Sequence, residues 1–285
     1  MSKAMQLKAQ IRNFAKESGV PAQAVLQNLM LERLLERISK SPYKRNFVLK
    51  GGMLIASLVG AAYRTTMDMD ATIKSRSLSK ESLEDMLKEI CAIDLDDDIR
   101  FGINYLEEIR EDDIYDGYRV ALIAYFENIR TPLKLDLTTG DKLTPGAVLY
   151  PYISIFEEKT IEVWAYNVET ILAEKVETIL RRSALNTRAR DFYDVYFLVK
   201  TQGARLDIPL FKKALKATIT HRKSSVSPGK GKEILASIRQ DATMQERWKR
   251  YTQTYPYASG LEFEMALETI DELLDRMIRF DEYVG

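Results

Sequence analysis

The sequence predicts an α+β protein, in which a mixed sheet with flanking helices is followed by a helical back half. Two observations support this class. Up to about residue 140, short strand-like apolar segments are interspersed with helical stretches, whereas helical periodicity dominates from Val168 onward. Strands first and helices afterwards are typical of α+β proteins. We therefore expect an N-terminal domain over residues 1–164 and a helical domain over residues 165–285, with the boundary near Trp164.

The elements of the front half follow from the spacing of their apolar residues. Helical spacing occurs on both sides of Gly19-Val20-Pro21, and a proline at the first helical position favours a helix start at Pro21. The acidic segment Arg110–Gly117 is typical of an exposed hairpin loop. The predicted helices are Ala4–Ala15, Pro21–Ile38, Met53–Ala62 and Leu78–Cys91, and the predicted strands are Phe47–Leu49, Asp70–Ile73, Phe101–Ile109, Tyr118–Tyr125 and Leu133–Leu137.

The back half contains six stretches with helical periodicity. Between Thr139 and Trp164 the sequence is rich in turn residues, including Pro145-Gly146, and we expect irregular structure there. The predicted helices that follow are Val168–Arg182, Ala189–Thr201, Pro209–His221, Lys232–Asp241, Met244–Thr254 and Leu261–Phe280.

The composition of the chain excludes several classes of protein. Its 285 residues are 46% hydrophobic and 29% charged, an ordinary globular balance that speaks against disorder or a fibre. A single cysteine, Cys91, excludes an intrachain disulfide and a multi-cysteine metal site, and a single histidine, His221, excludes a multi-histidine zinc site. No signal-peptide pattern and no apolar run of membrane-spanning length is present, so we expect a cytoplasmic protein without a membrane partner.

The 42 basic and 42 acidic residues cancel in number but are distributed unevenly. The stretch Glu81–Asp116 is mostly acidic, and the stretch Arg181–Lys232 is mostly basic. A basic half is compatible with a surface that faces a polyanion, although solvated helix surfaces have the same composition. Both interpretations of the basic half stay open from the sequence, and a solvated surface is the simpler interpretation of the acidic stretch.

Three carboxylates carry the chemistry that the sequence predicts. If Thr66–Thr72 is a strand, its period of two places Asp68 and Asp70 on one face. A third carboxylate, Asp136, shares a face with Lys134 on the Leu133–Leu137 strand, which can lie beside the first strand. Hard carboxylate oxygens, together with phosphate oxygens, are the ligands that Mg²⁺ prefers. An exposed acidic turn would also produce the pattern Asp-x-Asp. The third carboxylate, on a separate strand, therefore makes the prediction of a metal site more specific.

A glycine turn precedes these carboxylates. Gly51 and Gly52 lack a Cβ, so their backbone N–H groups and the following helix N-terminus can approach phosphates closely. Lys50 could add a positive charge there, or its side chain could point away. The combination predicts a site for a nucleotide and Mg²⁺, or Mn²⁺ in its place.

With four motifs in order, the sequence resembles the AbiEii/AbiGii-type nucleotidyltransferases, toxins of bacterial toxin–antitoxin systems. The matching segments lie between Leu49 and Tyr196, and Met53 departs from the family pattern, in which a small polar residue is frequent. The motifs are L-K-G-G-M-L with R-T-T-M-D-M-D (Leu49–Leu54 and Arg64–Asp70), L-K-L-D-L with Asp136, the helical segment with Lys175, and R-A-R-D-F-Y-D-V-Y with Arg190, Asp191 and Asp194.

The resemblance implies a nucleotidyltransferase-like core and a helical domain that completes the active-site cleft. It assigns roles to nine residues. Asp68, Asp70 and Asp136 would bind metal and take part in catalysis with Lys175 and Asp191, and the nucleotide would be bound by Gly51, Gly52, Arg64, Thr66 and Lys175. Without the resemblance, Lys175 is an ordinary solvated helix lysine and Asp191 an ordinary first-turn carboxylate. Asp194 could hold Arg190 or Arg188 in place.

The function implied is a Mg²⁺-dependent transfer of a nucleoside monophosphate from an NTP to RNA. A tRNA 3′ end is the acceptor that the resemblance and the basic helices favour, with a block of translation and growth as the result. Two alternatives stay open at this point: transfer to a small molecule of aminoglycoside type or to a protein hydroxyl, and a non-catalytic module that binds nucleic acid or a partner. A cognate antitoxin is implied by the resemblance alone.

Overall fold

The computed structural model describes residues 2–60, 64–74, 79–111, 115–155, 157–226 and 228–284. The chain divides into two compact units. The first comprises Met1–Asp141 and Ala147–Ala165, and the second comprises Lys142–Gly146 and Tyr166–Gly285. Among the described residues, no helix is both long and apolar enough to cross a membrane.

A mixed sheet forms the centre of the first unit. Its strands are β1 (Phe47–Lys50), β2 (Asp68–Ile73), β3 (Ile99–Glu111), β4 (Tyr115–Phe126), β5 (Ile129–Thr139), β6 (Val148–Ile153) and β7 (Thr160–Ala165). Within the described part of the chain, these seven strands lie in the order β3-β4-β5-β2-β1-β7-β6. Strand β1 pairs antiparallel with β2 and parallel with β7, and β2 pairs parallel with β5. The two central strands of the sheet, β2 and β1, therefore each have neighbours that come from distant parts of the sequence.

Four helices flank this sheet. They are α1 (Lys3–Ser18), α2 (Ala22–Lys40), α3 (Gly51–Val59) and α4 (Lys80–Cys91). Helix α2 lies against β5 and β7, α3 follows β1 directly and packs on β2, and α4 packs on β3. Strand β5 shows why one face is covered: Leu133, Leu135 and Leu137 are buried, while Lys134 and Asp136 between them are partly exposed. This alternation gives the strand one apolar face and one charged face.

Six helices form the second unit in the part that the structure describes. They are α5 (Val168–Arg182), α6 (Ala189–Gln202), α7 (Ile208–His221), α8 (Gly231–Gln240), α9 (Ala242–Thr254) and α10 (Phe263–Val284). Helix α5 packs against α6 and α7, and its apolar stripe is fully buried at Leu172 and Val176. The amphipathic periodicity by which each of these helices is predicted thus also places the apolar sides of the helices in one core.

The fold class is confirmed as mixed α and β, and two local predictions are wrong. The chain between Thr139 and Trp164 is not irregular, because it contains β6 and β7. Strand β6 contains Pro151 and lies at the sheet edge, where a missing N–H is tolerated. The predicted loop Arg110–Gly117 is largely strand, since β3 continues to Glu111 and β4 begins at Tyr115, while residues 112–114 lie outside the described residues. The predicted helix Met53–Ala62 is α3, which begins at Gly51 and ends at Val59.

Candidate active site

Four charged residues form one row across four neighbouring strands. Lys50 on β1 is the register partner of Asp70 on β2, Asp70 is the partner of Asp136 on β5, and Asp136 is the partner of Arg119 on β4. We call these four residues the charge row. Two carboxylates lie in its middle and one cation lies at each end. Asp68 precedes Asp70 by two residues on β2, and its register partner is Lys134.

Asp70 is held against the glycine turn. The backbone N–H of Gly52 donates a hydrogen bond of 3.3 Å to Asp70 Oδ2. Gly51 has φ of +66°, and a Cβ at this position would lie 2.1 Å from Asp70 Oδ2. Only glycine therefore fits position 51, both for its backbone conformation and for the space that the carboxylate occupies. The amide of Gly52, which the sequence predicts to face phosphate, here faces the carboxylate.

The charge of Asp70 is only partly compensated. Burial raises the pKa of Asp70, and the negative charges of Asp136 and Asp68 raise it further. Lys50 and the Gly52 N–H act in the opposite direction, but the pKa stays above its ordinary value. Asp70 would thus be stabilised as a carboxylate by an additional cation.

Asp136 is already paired with two cations. Arg119 binds it in a bidentate manner, with Nε 2.9 Å from Oδ1 and Nη2 3.0 Å from Oδ2. Lys134 Nζ lies 2.9 Å from Asp136 Oδ2 and 3.5 Å from Asp68 Oδ2. Burial raises the pKa of Asp136, but Arg119 and Lys134 outweigh burial and hold this pKa below its ordinary value. Asp136 is therefore the firmly ionised member of the two carboxylates in the row.

Arg64 and Thr66 lie at the glycine turn, where both side chains are buried. A Cβ on Gly52 would lie 2.7 Å from Thr66 Oγ1 and 3.2 Å from Arg64 Nη2. The Thr66 hydroxyl also donates to the backbone carbonyl of Asp68 at 3.2 Å, and Arg64 donates to the carbonyl of Thr65. Both residues therefore shape the chain between the turn and the first carboxylate, and their predicted contacts to a nucleotide stay predictions.

The second unit contains its own charged cluster. Lys175 Nζ on α5 lies 2.7 Å from Asp191 Oδ1 and 2.8 Å from Asp194 Oδ2, both on α6. Burial lowers the pKa of Lys175, but the two carboxylates outweigh burial and the pKa is raised. Asp191 Oδ2 is buried and has no hydrogen-bond partner among the described residues. Lys175 is thus a cation fixed by two acids, rather than a solvated helix lysine.

The structure adds contacts around this cluster that the sequence interpretation did not include. Asp194, considered as a partner for Arg190 or Arg188, pairs with Lys175. Arg190 donates to Tyr255 Oη at 2.9 Å and lies 5.1 Å from the centre of the Tyr255 ring. Part of the basic stretch is also used internally, since buried Glu177 pairs with Arg181 and Arg222. These basic residues therefore neutralise a buried acid instead of forming a free cationic surface.

The donor chemistry of the charge row suits a divalent cation. In the ranges that the structure covers, no three histidine, cysteine, aspartate or glutamate side chains are grouped closely enough to hold a metal ion. However, the ammonium of Lys134 reaches Asp68 and Asp136 together, which shows that one cation can serve both carboxylates. Burial first, and then the charges of Asp136 and Asp68, raise the pKa of Asp70, and a bound cation would act in the opposite direction. Carboxylate oxygens and this charge balance fit Mg²⁺ or Mn²⁺.

Sequence reasoning missed three members of this region. Lys134 shares a face with Asp136 in the sequence pattern, but its bridge to Asp68 follows only from the pairing of β2 with β5. Arg119 gives no sequence signal, because only the register of β4 places it opposite Asp136. Asp141 binds Lys50 Nζ at 2.5 Å, and its position directly after Thr139-Gly140 resembles an ordinary turn. All three depend on pairings between strands rather than on local pattern.

The family model described as "Nucleotidyl transferase AbiEii toxin, Type IV TA system" matches residues 33–276. A crystal structure of a putative nucleotidyltransferase from H. pylori superimposes with a TM-score of 0.52 at 15% identity and covers 92% of this chain and 98% of its own. A crystal structure of JHP933 from Helicobacter pylori has a TM-score of 0.49 at 15% identity, with 92% and 96% covered. None of the curated proteins compared with the chain matches it.

The family model covers far more than half of the chain and includes both the charge row and the Lys175 cluster. The similarity to the first H. pylori structure agrees with the mixed fold, and at 15% identity it speaks for the fold alone. The chain is therefore a nucleotidyltransferase that belongs to the AbiEii toxin family of type IV toxin–antitoxin systems.

Proposed function

We propose that this toxin transfers a nucleoside monophosphate from an NTP to an RNA hydroxyl, with the tRNA 3′ end as acceptor, in a Mg²⁺-dependent reaction. The observation that carries the proposal is the position of Asp70. It lies in register beside Asp136, two residues from Asp68, and against the N-terminus of α3 at Gly52. Three acids beside a helix N-terminus bring together the ligands for a metal and the dipole that favours phosphate.

Asp68, Asp70 and Asp136 would hold the metal. When bound, Mg²⁺ supplies positive charge to the triphosphate and lowers the pKa of the attacking hydroxyl. Lys134 and Arg119 already neutralise Asp136. When the metal binds, these two side chains would have to share Asp136 with it or give up their contacts. Arg119 is about one-third exposed, at 34%, and its guanidinium fork is suited to phosphate oxygens.

The reaction forms one bond and breaks one. The acceptor oxygen bonds to the α-phosphorus, the bond from the α-phosphorus to the oxygen that bridges to the β-phosphate breaks, and pyrophosphate leaves. Asp136 would take the proton of the acceptor hydroxyl once Arg119 and Lys134 yield their contacts, because both cations lower its pKa and so weaken it as a base. Lys175 would neutralise the triphosphate, and the buried, unpartnered Asp191 Oδ2 would accept a hydrogen bond from the substrate.

The second unit supports an RNA acceptor. Several of its basic side chains are exposed, and the half-exposed pair of Arg190 and Tyr255 offers a cation and an aromatic face for a base. Exposed cations attract the phosphates of RNA independently of sequence. The exposed set includes Arg188, Lys213, Lys216, Lys223 and Lys230. With RNA as the acceptor, the proposed reaction takes place in the cytoplasm. A cognate antitoxin is the proposed partner that limits it.

A small-molecule acceptor has less support. The acidic stretch that would form its pocket is partly used in internal pairs, because Asp97 binds buried Arg37 at 2.7 Å and Asp98 binds Lys3. These acids therefore have cationic partners within the protein. Asp97 and Asp98 thus contribute little free negative charge to a pocket for a cationic acceptor.

The test is incubation of the purified protein with each labelled NTP, Mg²⁺ and total tRNA, followed by sequencing of RNA 3′ ends. We expect added nucleotides with wild type and a loss of about 100-fold or more in Asp70→Asn, which removes one acid of the row. Asp85→Asn, at an exposed position of α4, is the matched control and should be as active as wild type. Wild-type protein that modifies no RNA with any NTP, but labels a small molecule or a protein, would contradict the RNA acceptor.

A further inference from the structure

The side chain of Lys50 crosses a strand. Lys50 lies on β1, yet its Nζ donates to Thr138 Oγ1 at 2.7 Å and to Asp141 Oδ2 at 2.5 Å, at the end of β5. Strand β2 lies between β1 and β5 in the sheet. The ammonium therefore passes over β2 on the side of Asp70, its register partner. We call this connection the Lys50 strap.

Asp141 is the anion at the end of the strap. Its side chain is only 4% exposed, and the Thr138 hydroxyl also donates to Asp141 Oδ2 at 2.6 Å. Burial raises the pKa of Asp141, but Lys50 and Thr138 outweigh burial and lower this pKa to about 2. The Thr72 hydroxyl on β2 lies 3.2 Å from Thr138 Oγ1. Groups from β1, β2 and β5 thus meet around one buried ion pair.

This ion pair is connected to the proposed metal site. Lys50 immediately precedes the Gly51-Gly52 turn, and the Gly52 N–H holds Asp70. Lys50 and Asp70 are register partners on neighbouring strands, so the Lys50 side chain that reaches Asp141 lies beside the Asp70 carboxylate. Two carboxylates, Asp70 and Asp141, therefore compete for one ammonium. If residue 141 were neutral, Asp70 would be the stronger anion beside Lys50. Lys50 and Asp70 would then form a direct ion pair, and Asp70 would no longer be available to bind the metal.

We propose that Asp141 is a positioning residue for nucleotidyl transfer, which acts through Lys50 to leave Asp70 available for the metal-bound nucleotide. The inference rests on the proposed use of Asp70 in that site. It does not depend on whether RNA is the acceptor. A purely structural ion pair would affect stability without affecting nucleotide binding by the folded protein.

The matched control is a second buried pair in the same unit. Arg37 is fully buried and binds Asp97 through two hydrogen bonds of 2.7 and 2.9 Å. It also donates to the carbonyl of Ile99 at the start of β3, and Ile99 pairs with Phe126 at the opposite end of β4 from Arg119. Asp97→Asn removes one charge from a buried ion pair, as Asp141→Asn does. It should lower the melting temperature without changing nucleotide affinity.

The experiment measures binding of Mn²⁺ together with α,β-methylene analogues of ATP, GTP, CTP and UTP by calorimetry. The full-length proteins are wild type, Asp141→Asn, Lys50→Gln, the double variant and Asp97→Asn, each with its melting temperature. We expect Asp141→Asn to weaken the tightest analogue by about tenfold and the same change to have no effect in the Lys50→Gln background. The milder Thr138→Val should weaken binding by roughly threefold, and it replaces Asp141→Asn if that variant does not fold.

Each outcome decides a separate point. Loss of affinity in Asp141→Asn that disappears in the Lys50→Gln background supports the positioning role. Wild-type affinity in Asp141→Asn, or losses that multiply in the double variant, would overturn it while leaving the proposed function intact. A wild-type protein that binds none of the four analogues with Mn²⁺ would overturn the proposed function, and the positioning role with it.

Discussion

Arg119 and Asp136 form a bidentate ion pair between β4 and β5, with nitrogen–oxygen distances of 2.9 and 3.0 Å. The pair lies at one end of the charge row, where it fixes the orientation of the third carboxylate. Arg119 is more exposed than Asp136, at 34% against 17% for the side chains, so it borders solvent while Asp136 faces inward. Arg119 therefore both holds Asp136 and remains within reach of a bound anion.

Replacement of Arg119 should show whether transfer needs only its positive charge or also the planar shape of its guanidinium group. Arg119→Lys keeps the positive charge but loses the planar fork, so we expect kcat to fall by about tenfold, and Arg119→Gln should cost about 100-fold. Arg130 is an exposed arginine on β5, so Arg130→Gln is the matched control and should be active. The measurement is kcat and KM for the NTP. Equal activity of Arg119→Lys and wild type would show that the bidentate geometry is not required.

Removal of Lys175 should affect stability as well as activity. Lys175→Met would remove the cation that lies 2.7 Å from Asp191 Oδ1 and 2.8 Å from fully buried Asp194 Oδ2, and removal of one partner from a buried ion pair costs about 3–5 kcal/mol. We expect the free energy of unfolding in urea to fall by about that amount and transfer to be lost. The double variant Lys175→Met/Asp194→Asn should recover part of the stability but none of the activity.

Exposed Lys213 on α7 provides the control for this prediction. Lys213→Met should leave the free energy of unfolding within about 0.5 kcal/mol of wild type, because surface substitutions have small effects. If Lys175→Met were as stable as wild type, the two aspartates would not depend on the lysine for their burial.

Replacement by alanine should be more destabilising at Gly51 than at Gly19, another glycine with positive φ. Gly19 has φ of +70° with no atom within 4 Å of the position that a Cβ would occupy, whereas a Cβ on Gly51 would overlap Asp70. Gly19→Ala should therefore cost about 1 kcal/mol for its backbone conformation alone. Gly51→Ala should cost more and should also displace Asp70, with loss of transfer. Equal unfolding free energies for the two variants would contradict the contact between the turn and Asp70.

Acid stability should depend on Asp141. Its pKa in the folded protein is lowered from 3.8 to about 2, so its contribution to stability is present above about pH 4 and is lost as the pH falls toward 2. This shift corresponds to about 2 kcal/mol at neutral pH. We expect Asp141→Asn to be less stable than wild type at pH 6, with the difference shrinking between pH 4 and pH 2. Urea unfolding at pH 6, 4 and 2.5 measures the difference, and a constant difference would contradict the lowered pKa.

The period of two was sufficient to predict much of the charge row. It placed Asp68 and Asp70 on one face of β2 and Asp136 on the polar face of β5, and the pairing of those strands brings Asp70 and Asp136 into register. Arg119 could not be predicted, because its position opposite Asp136 depends on the register of β4. The direction of Lys50 likewise depends on Asp141, which a distant turn supplies.

Helical spacing of apolar residues was less informative about the interaction partners of individual side chains than about the positions of the helices. It predicted α5 and α6, but it did not predict that Asp194 on α6 would pair with Lys175 on α5. Strand β6 was missed for a different reason. Strand β6 has exposed apolar residues, Val148, Leu149 and Ile153, and a proline, so its pattern lacks the alternation of a half-buried strand.

The pairing of β1 with β7 has a consequence for synthesis of the chain. Strand β1 is four residues long, and its second neighbour is supplied by Thr160–Ala165. A nascent chain that has left the ribosome only as far as Asp141 contains all the residues of the charge row, but its β1 still has an open edge that invites pairing with other chains. The toxin can therefore assemble its sheet only after Ala165 has emerged. A shortened fragment that is meant to fold should extend at least to that residue.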